Sequence, residues 1–134
     1  MNEQSLFGPF ENSPLLNNLA DRIAMSQQQQ KPFQIFLQNL QGSSAAFVLQ
    51  TIFTHAKTNQ LNHLVVLNDA EEAAYFYNSI ESVTEAMDLF YFPSSYKTPH
   101  NFSLLNPSHV MLRTEALTKI SMGGNKKILV TYPE

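Results

Sequence analysis

His63-Leu64-Val65-Val66-Leu67 is a compact apolar run, and the polar pair Asn68-Asp69 ends it. A short run that contains β-branched residues and closes on turn residues is typical of a strand buried in a parallel sheet. Asp69 lies three residues before Glu72, which is the spacing of a capping pair and predicts a helix through about Ser82. The stretch therefore predicts one strand–turn–helix unit of an α/β protein.

The same alternation continues toward the C-terminus. Apolar runs at residues 89–92 and 128–132 predict two more strands, and a helix is predicted between them from Asn106-Pro107 to about Ser121. Because helices that connect parallel strands pack on both faces of the sheet, the pattern predicts an α/β fold with a three-layer parallel sheet. The order of the strands does not follow from this pattern.

One more strand and helix are predicted on the N-terminal side. Phe33, Ile35 and Leu37 alternate with their neighbours, which predicts a short strand that reaches about Leu40. Residues 45–57 follow with apolar side chains at helical spacing. The segment between them would join the first strand of the sheet to its helix.

Residues 1–32 have a different composition and are expected to form a lead-in and a separate helix. Ser13-Pro14 predicts the start of that helix, because serine accepts from a free backbone N–H and proline suits the first helical turn. Residues 33–134 are expected to form an α/β degenerate nucleotide-fold domain. Because the sequence stops directly after a predicted strand, we expect that domain to be truncated at its C-terminus.

Composition excludes several classes of protein. The chain has 134 residues, enough for one domain, and a net charge of −3, which gives no electrostatic reason for strong binding to nucleic acid. It has no cysteine, no signal-peptide pattern and no apolar stretch long enough to cross a bilayer. We therefore expect a cytoplasmic protein that does not bind membranes.

The loop before residue 47 occupies the place of a phosphate-binding loop, since ligands of such sheets bind where the first strand leads into its helix. A working loop reads G-x-x-x-x-G-K-[ST], with the lysine on the β and γ phosphates and the hydroxyl on Mg²⁺. The corresponding residues here are Asn39, Gly42, Ser43, Ser44, Ala45 and Ala46. Ala45 and Ala46 replace the lysine and the hydroxyl residue, so we predict no catalytic residue, no metal and no cofactor in this chain.

Two interpretations of the serines in this loop remain. Ser43, Ser44 and the helix N-terminus would hold a sulfate or phosphate loosely, or one serine simply caps the helix, which we favour.

The other candidate functional residues outside this loop have structural explanations. His55, His63, His100 and His109 lack ligand-like spacing. The acidic group at residues 69–72 is explained by a helix start and the aromatic run at 90–92 by a strand core, and no nucleophile stands out among Ser94, Ser95 and Tyr96.

The ordered set of these motifs resembles the N-terminal module of the bacterial transcription-repair coupling factors (Mfd). The likeness is carried by the loop at residues 40–47, the run at 64–67, the aromatic run at 90–93, the helix segment at 113–117 and the run at 128–131. That module is in turn similar to the first domain of the excision-repair protein UvrB, whose phosphate loop is intact. The chain departs from UvrB between Pro93 and Pro107, where nothing has the length or aromatic content of the DNA-gripping hairpin.

The resemblance implies a parent that is a DNA translocase using ATP and Mg²⁺. It also implies that RNA polymerase and UvrA are bound through other domains, that DNA is bound by the motor, and that this module makes intramolecular domain contacts. We therefore predict a noncatalytic scaffold module that serves transcription-coupled nucleotide-excision repair. The alternatives are a stand-alone nucleotide- or anion-binding α/β module, and a receiver-like module, for which Asp69 lacks a partnering lysine after a late strand.

Overall fold

A computed structural model of the chain describes residues 13–84, 89–94, 107–124 and 126–133. In these residues the elements are α1 (Pro14–Gln29), α2 (Ser44–Thr54), β1 (His63–Val66), α3 (Ala70–Val83), β2 (Leu89–Phe92), α4 (Pro107–Ser121) and β3 (Ile128–Thr131). They fall into two compact units, Met1–Leu61 with α1 and α2, and Asn62–Glu134 with the other elements. The three strands and two helices predicted for the second unit are confirmed. The lead-in at residues 1–12 and most of the segment between Pro93 and Pro107 lie outside the described residues.

The second unit is built on a parallel sheet of three strands in the order β1-β3-β2. Val65 pairs with Val130 of the central strand, and Val130 pairs with Tyr91 on the other side. The last strand of the chain therefore lies between the two earlier ones. This arrangement confirms the predicted α/β class with parallel strands.

Helix α3 covers one face of the sheet. Side chains alternate between faces along each strand, so Ile128, Val130 and Tyr91 lie on the same face. Ile128 and Val130 are fully buried, as are Ala73 and Ile80 of α3, and α3 packs against β3. The predicted capping pair is observed, because the Asp69 carboxylate accepts from the Glu72 N–H. Tyr77 is half-buried, and its ring centre lies 5.5 Å from that of Tyr91.

Helix α4 packs on the opposite face, against β2. Its Ala116 is fully buried, and the Arg113 guanidinium lies 4.0 Å from the centre of the Phe92 ring. The pairing places Leu64 and Val66 of β1 on this face too, but they are 65% and 60% exposed. Helix α4 therefore covers the β2 side of this face and leaves the β1 side open.

The first unit is a pair of helices. Leu16 and Leu19 of α1 and Ile52 of α2 form its buried cluster, and three half-buried side chains pack against that cluster: Ile23, Ile35 and Val48. Outside the cluster, Lys57 forms an exposed ion pair with Asp21. Exposed pairs contribute little to stability, so the apolar cluster holds the two helices together.

The strand predicted over residues 33–40 is wrong, because residues 31–41 form neither helix nor strand. Ile35 packs against the helical cluster, whereas Phe33, Leu37 and Leu40 are exposed and Phe36 is 82% exposed. Alternation predicts a strand only where a neighbour accepts its backbone hydrogen bonds, and no described strand pairs with this segment.

Among the described residues, no helix has both the length and the apolar character needed to span a membrane.

We predict that Ile80→Ala lowers the free energy of unfolding by about 2–5 kcal/mol, because it leaves a cavity between α3 and the sheet. The matched control is Ile120→Ala in α4, where the side chain is 49% exposed rather than fully buried. The control should lose under about 1 kcal/mol, since about half of the residue is already in contact with water. Urea unfolding followed by circular dichroism measures both, and equal losses would contradict the packing of α3. If Ile80→Ala does not fold, Ile80→Val should lose about 0.5–1.5 kcal/mol.

Candidate functional site

The candidate phosphate loop lies in the first unit, directly before α2. Asn39 and Gly42 have φ values of 63° and 55°, in the left-handed region that asparagine and glycine adopt most readily. The Ser44 N–H donates to the Gln41 carbonyl at 3.0 Å, which closes a turn. The six residues named from the sequence thus form a tight turn into a helix, without the strand expected before it.

Ser43 takes the N-cap position of α2, but its side chain makes no capping hydrogen bond. Its carbonyl accepts from the Phe47 N–H at 3.2 Å, which begins the helical hydrogen-bond pattern. The start of α2 therefore depends on backbone geometry and on burial of its apolar side chains. The Ser43 side chain therefore does not make the capping bond that the sequence predicts for one of the two serines.

The two alanines of the loop have different surroundings. Ala46, at the position of the Mg²⁺-binding hydroxyl, is 1% exposed, while Ala45 is half-buried. A hydroxyl at residue 46 would therefore lie in the interior of the first unit rather than beside a ligand in water. No residue from 39 to 46 has an ionisable side chain. The loop therefore has no side chain suited to general acid–base chemistry and no carboxylate to bind a divalent cation.

The second place where an α/β protein binds ligands is the carboxyl edge of its sheet. At the end of β1, the Asp69 carboxylate accepts from the Glu72 N–H at 2.9 Å. The Glu72 carboxylate accepts from the Asn68 side-chain amide at 2.8 Å and from the Asn68 backbone N–H at 3.3 Å. These hydrogen bonds cap α3. The acidic residues therefore have the helix-start role predicted for them.

At the ends of β2 and β3, polar groups bind one another. The Thr131 hydroxyl donates to the Phe92 carbonyl at 2.8 Å, and the Ser94 N–H donates to the Tyr132 hydroxyl at 3.1 Å. Arg113 donates to the Pro93 carbonyl at 2.7 Å. We name Arg113, Thr131, Tyr132 and Ser94 the edge network. Sequence reasoning gave Arg113 no role, although an arginine in the helix after an aromatic strand is a usable signal for a cation–π contact.

The other predicted candidates lie on different elements of the chain or outside the described residues. His55 ends α2, His63 begins β1 and His109 lies within α4, while His100, Ser95 and Tyr96 lie outside the described residues. In the described part of the chain no three His, Cys, Asp or Glu side chains are grouped to hold a metal ion. Phe90 is buried in the sheet, which confirms its assignment to a strand core.

Three groups of the sheet region have shifted pKa values. Burial lowers the pKa of His63 below its ordinary 6.5. Burial, followed by the negative charges of Glu81 and Glu115, raises the pKa of Tyr77 above 10.0. Burial, followed by the neighbouring Tyr132, also raises the pKa of Tyr91. Each shift is led by desolvation, so these groups are packed in their neutral forms.

The geometry defines an α/β protein with a parallel sheet and a turn at the start of α2. Over 77 residues, 56% of this chain, the sequence is 31% identical to the transcription-repair-coupling factor of Rickettsia typhi (strain ATCC VR-144 / Wilmington). The match covers 7% of the length of that protein. No family model and no solved structure matches the chain. The similarity therefore concerns a short part of a long relative.

We predict that Asp69→Ala destabilises the chain by about 1 kcal/mol, because the Glu72 N–H loses its acceptor. Ser43→Ala is the matched control at an N-cap position where the side chain makes no capping bond, and it should change stability little. Asp69→Asn should retain most of the stability, because asparagine also caps helices well. Urea unfolding at neutral pH measures all three. A loss for Ser43→Ala equal to that for Asp69→Ala would show that Ser43 caps α2 in solution.

A pH dependence follows from His63. Its folded-state pKa is lower than the 6.5 of the unfolded chain, so the unfolded chain binds more protons between the two values. The free energy of unfolding should therefore fall as pH is lowered through 6.5 and level off below the folded-state pKa. Urea unfolding from pH 8 to pH 5 measures this, with His63→Gln expected to show a smaller slope near pH 6.5. An unchanged slope in His63→Gln would contradict this origin of the pH dependence.

Proposed function

We propose that this chain is a noncatalytic N-terminal scaffold module of a transcription-repair coupling factor, with a nucleotide-type α/β fold that has lost its phosphate chemistry. The observation that carries the proposal is the loop before α2. Ala45 stands where a working loop has its lysine, and the buried Ala46 stands where it has its metal-binding hydroxyl. A methyl group neither neutralises a triphosphate nor binds Mg²⁺.

The sequence similarity supports the choice of parent. The Rickettsia protein is named a transcription-repair-coupling factor, and the 77 matched residues make up more than half of this chain. A parent of this kind acts in DNA repair. We propose that it is a cytoplasmic translocase that displaces stalled RNA polymerase and recruits UvrA for nucleotide-excision repair.

The second unit supports the proposed fold. Its parallel strands have α3 on one face and α4 on the other, and this layering is compatible with the three-layer, UvrB-like nucleotide fold that we propose. Where such a fold would bind a ligand, the edge network uses its polar groups internally. That use suits a scaffold better than an enzyme.

The charge of this module and the chemistry of its loop suggest which ligands other domains of the proposed parent would bind. A net charge of −3 with scattered basic residues does not favour DNA binding by this module. We therefore propose that DNA, ATP and Mg²⁺ are bound by the motor of the parent, and that RNA polymerase and UvrA are reached through its other domains. The role left to this module is to make contacts with neighbouring domains of the same polypeptide.

A second candidate function is loose anion binding at the start of α2. The observation in its favour is that the Ser43 side chain makes no capping bond, while the first N–H groups of a helix attract anions. It would make the chain a stand-alone nucleotide- or anion-binding module. The absence of any basic side chain from residues 39–46 weighs against it.

We predict that isothermal titration of the chain with ATP and Mg²⁺ shows no saturable binding in the micromolar range, because the loop lacks its cation. A protein with an intact phosphate loop, titrated in the same buffer, is the positive control. Saturable micromolar binding of ATP with Mg²⁺ would overturn the noncatalytic assignment. Saturable binding of inorganic phosphate without Mg²⁺, abolished by Ser43→Ala, would favour the second candidate.

The repair role has its own test in cells. Deleting the gene should slow the removal of ultraviolet lesions from the transcribed strand of an active gene to the rate of the other strand. A gene copy with Ala45→Ser should restore the fast rate, because no phosphate chemistry is lost, whereas Ile80→Asp should not, because it disrupts the buried contact of α3. Strand-specific lesion mapping measures these rates. Equal rates in the deletion strain and its parent would refute the repair role.

A further inference from the structure

We draw no further inference here: the strongest candidate, the open apolar side of the sheet where Leu64 and Val66 of β1 lie exposed on the face that α4 covers only in part, carries no proposal because nothing in the structure shows what covers it.

Discussion

Strand β3 pairs with both other strands of the sheet, while β1 and β2 do not pair with each other. The β3 side chains Ile128 and Val130 are fully buried, so β3 also supplies apolar surface against which α3 packs. Lys127, just before this strand, donates its backbone N–H to Asn62 across 65 residues of sequence. Contacts of such separation require closure of a long loop before they stabilise anything. The joining of β1 and β2 into one sheet therefore depends on the last strand, which pairs with both of them.

The edge network extends this dependence to the carboxyl ends of the strands. Thr131 and Tyr132 come from the end of β3, and their hydrogen bonds hold Phe92 and Ser94 at the end of β2. Arg113 adds a contact from α4, over the Phe92 ring and to the Pro93 carbonyl. In a ligand-binding α/β protein these positions often carry polar groups that face a ligand. Here the side chains at the same positions form hydrogen bonds within the sheet and to its neighbouring helix.

Local signals in the sequence were sufficient for most elements. The β-branched runs of β1 and β3, the Asp69 cap and the proline at the start of α4 each act within a few residues, and each predicted its element. Strand order depends on pairing across the chain, which no local pattern contains. The alternation at residues 33–40 predicted a strand that is not formed. A strand requires a neighbouring strand for its backbone hydrogen bonds, and the local pattern does not show whether one is present. In α2 the buried apolar side chains are those of Ala46, Ile52 and Phe53. The correspondence of residues 39–46 with a phosphate-binding loop comes from the sequence alone. The structure adds that Ala46 is buried.

The burial of Ala46 connects fold to function. In a phosphate loop the hydroxyl residue must face the metal, so the helix that carries it is oriented by its ligand as well as by its core. In this chain the residue at that position is Ala46, which is buried at 1% exposure. Once packing alone orients the helix, an inward methyl is favoured over a hydroxyl, which would have to find a partner in the interior. Adding back a lysine at residue 45 would therefore supply a charge without restoring the metal site. The loss of phosphate chemistry that we propose would therefore involve the core of the first unit as well as the surface of its loop.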